Sequence, residues 1–228
     1  MKFGVVTFPG SNCDDDIVYI LKDVLHQEVV NLWHKDTDLK GAEFIVLPGG
    51  FSYGDYLRSG AIAKLSPIMQ SVVEHANEGG YVLGICNGFQ ILTESGLLEG
   101  ALLQNDHQKF VCNNVYLRPA NNTTLITKDL DKDRAYKIPI AHGEGRFFAS
   151  DETIKQLTDE DRVIFRYCGE DGTLGEMYNP NGSVGNIAGI CNKGRNVFGM
   201  MPHPERAADA PLGNEDGKLF FQSILNNL

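Results

Sequence analysis

The stretch Tyr81-Val82-Leu83-Gly84-Ile85-Cys86-Asn87-Gly88-Phe89-Gln90 decides how the rest of the chain is read. Its opening residues are a short apolar, partly β-branched run of strand type. From Asn87 onward, Gly88-Phe89-Gln90-Ile91-Leu92-Thr93-Glu94 has helical character, so strand, tight turn and helix follow one another with a thiol at the bend. Gly84 and Gly88 flank that thiol in a Gly-x-Cys-x-Gly pattern, the cysteine form of the nucleophile elbow. Small neighbours tolerate a strained bend that pushes the reactive atom out of the sheet edge. A helix start also offers unpaired N–H groups and the positive end of its dipole, which favour negative charge at the sulfur. A buried structural cysteine is the alternative reading of any single thiol, and the two glycines tilt this one towards chemistry.

Outward from the elbow, the same alternation repeats. Lys2 to Phe8 is a β-rich run of the kind buried on both faces, and Pro9-Gly10-Ser11-Asn12 stops it. Ile17, Ile20, Leu21, Val24 and Leu25 recur at helical spacing, with Asn12 or Asp14 expected as N-cap. Glu28 to Trp33 and Glu43 to Leu47 read as further strands. After Ala61 a helix is expected whose stripe Leu65, Met69, Val72, Val73 and Ala76 is core, with Ser66-Pro67 as its N-cap and first turn. This order predicts an α/β fold: an open, mostly parallel central sheet with helices on both faces, flavodoxin-like. From Leu102 to Arg118, and again to Met201, shorter strands with polar breaks predict a mixed or antiparallel extension. Ligands of such sheets bind beyond the carboxyl ends of the strands, where three loops should converge: Pro9 to Asn12, Pro48 to Gly60, and Cys86. The middle one is long, glycine-rich and aromatic; its Asp55 and Arg58 pair either with each other or with a ligand.

The 228 residues, 42% hydrophobic and 22% charged, suit one domain spanning 1–228 with a core that needs no staples. A net charge of -10 makes nucleic acid and anionic membrane surfaces poor partners. Cys13, Cys86, Cys112, Cys168 and Cys191 are an odd, scattered set without a CxxC pair, which points to a reducing compartment and no disulfide framework. No His, Cys, Asp or Glu spacing matches a metal site, and no apolar run approaches the ~20 residues that cross a bilayer. A cytoplasmic location is expected.

A cysteine nucleophile needs a base, and the base works better when a carboxylate holds its ring. His203 and Glu205 stand at the end of the apolar run Asn196 to Met201, bracketed by Pro202 and Pro204. If the prolines keep the segment extended, two residues apart project the same way, and Glu205 can hold one ring nitrogen while the other faces the thiol. His142, with Glu144 as orienter, is the rival base. His26, His34, His75 and His107 are expected to be solvated or structural. The N–H of Asn87, with one from Gly50 or Phe51, would serve a tetrahedral oxyanion. The reaction class is acyl transfer through a thioester.

With Pro48-Gly49-Gly50, Cys86-Asn87-Gly88-Phe89-Gln90, His142-Gly143-Glu144-Gly145 and His203-Pro204-Glu205 in this order, the chain resembles the class I, triad-type glutamine amidotransferases, and among them those serving de novo purine biosynthesis. The resemblance implies Cys86 as nucleophile, His203 as general base and acid, and Glu205 as orienter. It also implies Gln90, with main-chain groups of Gly49, Gly50, His142 and Gly143, as glutamine contacts. The activity implied is hydrolysis of L-glutamine to glutamate and ammonia. The ammonia would pass to a large synthetase subunit for ATP-dependent conversion of phosphoribosylformylglycinamide to phosphoribosylformylglycinamidine, in company with a small third subunit. No cofactor is expected in this chain, which lacks a Gly-x-x-x-x-Gly-Lys-Ser/Thr loop; ATP and magnesium belong to the partner. The alternatives are a glutaminase for another synthetase, a stress-type cysteine hydrolase of the same fold, and a flavodoxin-like binding module.

Overall fold

The computed structural model describes residues 1–228. Its contacts group the chain into two compact units, Met1–Glu99 with Asn196–Gly199, and Gly100–Arg195 with Met200–Leu228.

The first unit is built of parallel strands. β1 (Lys2–Thr7) lies between β2 (Glu28–Trp33) and β3 (Phe44–Leu47), and β3 pairs in turn with β4 (Tyr81–Ile85), all in parallel register. β11 (Val197–Met200) lies beyond β4. The β-branched and apolar residues of β1, β3 and β4 are almost all buried, as a sheet covered on both faces requires. Phe3 and Phe44 pack with ring centroids 5.2 Å apart. Three helices accompany these strands: α1 (Asp14–Tyr19), α2 (Pro67–Asn77) and α3 (Asn87–Glu94).

Three local expectations change here. Cys13, not Asn12 or Asp14, occupies the N-cap position of α1 and makes no side-chain cap; Asp14 instead accepts a hydrogen bond from the Thr7 hydroxyl at 2.9 Å. The helix also widens into a π-type turn over Ile20–Val24, which places Ile20 and Leu21 in the core. α2 begins at Pro67 as expected, but Ser66 makes no cap and meets the Tyr53 hydroxyl at 2.8 Å. Leu65 lies one turn too early for the buried stripe and is 72% exposed, whereas Ile68, Met69, Val72 and Ala76 are buried.

The second unit is antiparallel. β6 (Val111–Pro119) lies between β7 (Tyr136–His142) and β9 (Val163–Cys168), and β9 pairs with β10 (Ile187–Cys191). β5 (Ala101–Leu103) and β8 (Arg146–Phe148) form a separate antiparallel pair. α4 (Asp151–Asp159) is capped by the Ser150 hydroxyl, which accepts from Thr153 N–H at 3.2 Å. α5 (Asp216–Asn227) buries Phe220, which stacks on Phe165 at 4.7 Å. The chain is thus α/β with mixed strand directions, and no helix is long and apolar enough to cross a membrane.

Candidate active site

In the first unit the elbow forms at Cys86, the residue after β4 and the N-cap of α3. Its backbone sits at φ 51°, ψ -106°, a region that a side chain occupies only under strain of about 1–3 kcal/mol. The flanking glycines explain how the bend closes. A Cβ at Gly88 would stand 1.9 Å from the Leu47 carbonyl oxygen, and one at Gly84 would stand 2.6 Å from the Gly88 carbonyl, so strand ends and helix start pack backbone to backbone. Cys86 is 5% exposed, and its carbonyl accepts the Gln90 N–H at 3.2 Å.

The three loops converge around this bend. Ser11 and Gly50 form an antiparallel bridge, Phe51 N–H donates to Gly10 O at 3.0 Å, and Tyr53 N–H donates to Pro9 O at 2.6 Å. The Asn87 side chain ties the elbow to the glycine-rich loop: its Oδ1 accepts from Ser52 N–H at 3.2 Å, and its Nδ2 donates to Gln90 Oε1 at 2.9 Å and Asp55 Oδ1 at 3.4 Å. Asn87 and Gln90 are therefore held together with Gly50 and Phe51 on the loop beside them. The Phe51 amide faces Gly10 in this arrangement. Asp55 and Arg58 do not pair with each other; Arg58 ion-pairs with Glu94 on α3.

In the second unit His203 precedes a 3-10 turn, Pro204–Ala207, rather than lying in an extended segment. A turn brings residues two apart together as well as a strand does, and His203 Nδ1 meets Glu205 Oε1 at 2.6 Å with both residues buried. A carboxylate only accepts, so Nδ1 carries a proton and Nε2 is the ring atom through which a second proton is gained or lost. His203 N–H also donates to Pro139 O of β7 at 2.8 Å. α5 passes close beneath: a Cβ at Gly217 would stand 2.0 Å from Pro204 O, a tight contact no sequence pattern announces.

His142 ends β7 and is 3% exposed. Its Nδ1 meets Asn105 Oδ1 at 3.1 Å, so Asn105, not Glu144, holds the ring. Burial foremost, then the neighbouring charge of His203, lowers the His142 pKa to about 4. A ring so lowered is a weaker proton acceptor than an ordinary histidine near neutral pH. Gly143 is placed by the same residue, its carbonyl accepting from Asn105 N–H at 2.9 Å. Asn105 is the site-building residue that the sequence did not single out; it lies 37 positions from His142 with no motif of its own. Of the remaining histidines, His34 is buried and meets the Tyr53 hydroxyl at 2.6 Å, a structural setting. Among the other thiols, burial foremost raises Cys168 to about 11, which keeps it protonated, and Cys112 is exposed on β6.

The family of CobB/CobQ-like glutamine amidotransferase domains matches residues 1–215. Phosphoribosylformylglycinamidine synthase subunit PurQ of Nostoc sp. is 53% identical over 228 residues, covering 100% of this chain and 98% of that one. The protein of the same name in Chlorobium luteolum is 55% identical, covering 100% and 99%. A solved structure, PurLQS from Thermotoga maritima, superposes with a TM-score of 0.86 at 45% identity over 99% of this chain and 97% of that one. Another glutamine amidotransferase from Thermotoga maritima shares the fold, at a TM-score of 0.57 and 15% identity over 100% of this chain and 84% of that one. The chain belongs to the glutamine amidotransferases and, within them, to the PurQ subunits of phosphoribosylformylglycinamidine synthase.

Proposed function

We propose that this chain, acting as one glutamine amidotransferase domain over residues 1–228, hydrolyses L-glutamine at Cys86 and hands the ammonia to a synthetase partner. The observation that carries the reading is the strained backbone of Cys86 at the start of α3, a conformation that two close-packed glycines make possible. His203 takes the Cys86 thiol proton, the resulting thiolate attacks the side-chain carboxamide carbon, and the carbonyl π electrons move to oxygen. Asn87 N–H and a main-chain N–H of the Gly49-Gly50-Phe51 loop stabilise that oxyanion; a single such donor contributes about 3–4 kcal/mol in hydrolases. Collapse expels the nitrogen, which takes a proton from His203 and leaves as ammonia, giving a thioester. Water, deprotonated by His203, attacks the thioester; glutamate leaves and the thiol is restored. Glu205 keeps the His203 ring in the required tautomer and stabilises its imidazolium. Gln90 and main-chain groups of the Gly49-Gly50 and His142-Gly143 loops contact the substrate.

The ammonia goes to a large synthetase subunit, with a small third subunit completing the assembly, as the Thermotoga maritima complex suggests. ATP and magnesium act there, in the conversion of phosphoribosylformylglycinamide to phosphoribosylformylglycinamidine in the cytoplasm. Free ammonia would be protonated in water, so a docked partner and an internal channel are expected; the isolated chain should turn over glutamine slowly and accelerate when its partners bind.

The test is covalent labelling. A glutamine-analogue electrophile such as a γ-diazoketone should modify Cys86 alone, identified by peptide mass, with glutamine protecting it. Modification of another cysteine, or none in the assembled complex, would overturn the assignment.

A further inference from the structure

Asn87 is 1% exposed and follows Cys86 directly, yet the steps above use only its backbone N–H. Its side chain is fully engaged as well. Oδ1 accepts from Ser52 N–H at 3.2 Å, and Nδ2 donates to Gln90 Oε1 at 2.9 Å and to Asp55 Oδ1 at 3.4 Å. A backbone N–H can only donate, so Ser52 fixes which end of the Asn87 amide is oxygen. Gln90 must then turn its own oxygen towards Asn87 Nδ2. The position calls for a short, planar head that accepts once and donates twice. Asparagine supplies this; an aspartate has no hydrogen to donate, and a glutamine is one carbon longer.

The loop that Asn87 grips does not hold its own shape. Tyr53, Asp55 and Leu57 have φ of 54°, 53° and 71°, in the left-handed region that side chains enter only at a cost. Such a segment persists where its surroundings over-determine it. Tyr56 and Leu57 are 71% and 78% exposed, so the middle of the loop buries nothing that would fix it. Its anchors lie elsewhere. The Tyr53 hydroxyl meets His34 Nδ1 at 2.6 Å and Ser66 Oγ at 2.8 Å, and a Cβ at Gly60 would stand 2.8 Å from Ile91 N, so the far end packs on α3. At the near end, Ser52 follows the Gly49-Gly50-Phe51 donors just as Asn87 follows the nucleophile. One carboxamide therefore couples the place of the sulfur to the place of the main-chain N–H groups that face the oxyanion.

We propose that the Asn87 side chain is a positioning residue: its carboxamide sets the separation between Cys86 and the main-chain donors of the Gly49-Gly50-Phe51 loop, and with the same atoms it orients Gln90. The inference rests on the glutaminase reading above. The side chain touches no reacting atom. Without it the elbow still forms, because the bend is made by backbone packing at Gly84 and Gly88, while the strained loop is free to drift from the sulfur. The nucleophile then keeps its reactivity, and stabilisation of the oxyanion is lost.

The experiment separates these two properties in Asn87→Ala, which keeps the helix start and the net charge. Glutamate release by the assembled complex needs the oxyanion donors. Alkylation of Cys86 by iodoacetamide, followed on the full chain by peptide mass, is a displacement at a saturated carbon and needs only the thiolate. The kcat for glutamine should fall roughly 10- to 100-fold, as for a reacting group held slightly out of place. The alkylation rate should stay within about twofold, with an unchanged pH dependence. Asn87→Asp sets two carboxylates against each other and should be at least as slow as Asn87→Ala. Adding Asp55→Asn returns a donor to the pair from the opposite side, and kcat should recover roughly 5- to 10-fold over Asn87→Asp. These aspartate variants keep the size of the side chain, so they decide the matter if Asn87→Ala does not fold. Equal losses of kcat and alkylation in Asn87→Ala would mean that the side chain supports the elbow itself, and an unchanged kcat that the loop is held without it. Either result, or no recovery in the double variant, would overturn the proposal. Failure of the wild-type complex to release glutamate would instead defeat the glutaminase reading.

Discussion

Cys86 is aimed by its backbone, with φ at 51° and two glycines that let strand and helix close around it, whereas His203 is aimed by a side chain, the Glu205 carboxylate 2.6 Å away. The two constructions fail differently. A backbone-set residue is robust to the chemistry of its neighbours and intolerant of their volume. A side-chain-set residue is robust to small shifts in packing and intolerant of any change in its partner's charge or acceptor geometry. His142 belongs with the second kind, since Asn105 fixes both its ring and its tautomer.

The largest effect should come from the sulfur. Cys86→Ser keeps the elbow and removes the nucleophile, so glutamate release by the assembled complex should fall by about 10^4-fold or more. Retention of more than a few per cent of the rate would mean that another thiol does the work. Glu205→Gln tests the side-chain-set half. Its amide can turn its NH2 towards Nδ1 and select the wrong tautomer, and kcat should fall by about 10^2- to 10^4-fold, as triad logic elsewhere implies. The far-ultraviolet circular dichroism should stay unchanged. If kcat barely moves, the carboxylate only packs.

A third outcome concerns stability. His142 has a folded pKa of about 4, below the ordinary histidine value of 6.5. The unfolded chain therefore binds a proton more readily than the folded one between these values. The stabilisation is fully present above pH 6.5 and is lost as pH falls towards 4, by about 3 kcal/mol for a shift of this size. Urea unfolding between pH 7 and 4 should show this slope in the wild type and a shallower one in His142→Asn. Equal slopes would mean that the ring is protonated in the folded state.

Gly88→Ala addresses the backbone-set half directly. The added methyl carbon would stand 1.9 Å from Leu47 O, and neither β3 nor α3 can retreat without loss of packing. The expected loss is about 1–3 kcal/mol in urea unfolding, with slower electrophile labelling of Cys86 as the elbow shifts. Unchanged stability would show that the bend is softer than the close contacts imply.

The same contrast explains what could be read from the sequence. Gly84, Cys86 and Gly88 are neighbours in the chain, so a bend made by local close packing leaves a local pattern. The parallel strands were legible because strands buried on both faces are continuous apolar runs. His203-Pro204-Glu205 was legible as a pair, but its geometry was not: a 3-10 turn and an extended segment place residues two apart in similar positions, and the prolines permit both. Asn105 was not legible at all. Its four contacts are made to residues up to 40 positions away, and an asparagine in a loop carries no periodicity to mark it. Leu65 was misjudged because helical spacing was extended one turn before Pro67, where the chain forms a separate 3-10 turn and its side chain points out.

The smallest effect should be that of Arg58. It joins the glycine-rich loop to Glu94, the last residue of α3, so it bridges the two segments that frame the elbow. Its charge also lies at the negative end of the helix dipole, a favourable place for a cation. Both facts invite a large role, yet Arg58 is 51% exposed in its side chain, and Lys64 stands 3.7 Å from the other oxygen of Glu94 to take up the charge. The Glu94 end is only 10% exposed, but with the Arg58 end in solvent and a substitute cation beside the carboxylate, the pair contributes about 0–1 kcal/mol. Arg58→Ala should therefore lower stability by under ~1 kcal/mol, with the difference from wild type shrinking further in 0.5 M salt. The rate of Cys86 labelling in the isolated chain should hold within about twofold, because the elbow is set by Gly84 and Gly88 rather than by this bridge. A labelling rate that fell with Arg58→Ala, at unchanged stability, would show that the loop's charge and not the backbone alone sets the nucleophile, and the contrast drawn between the two regions would have to be given up.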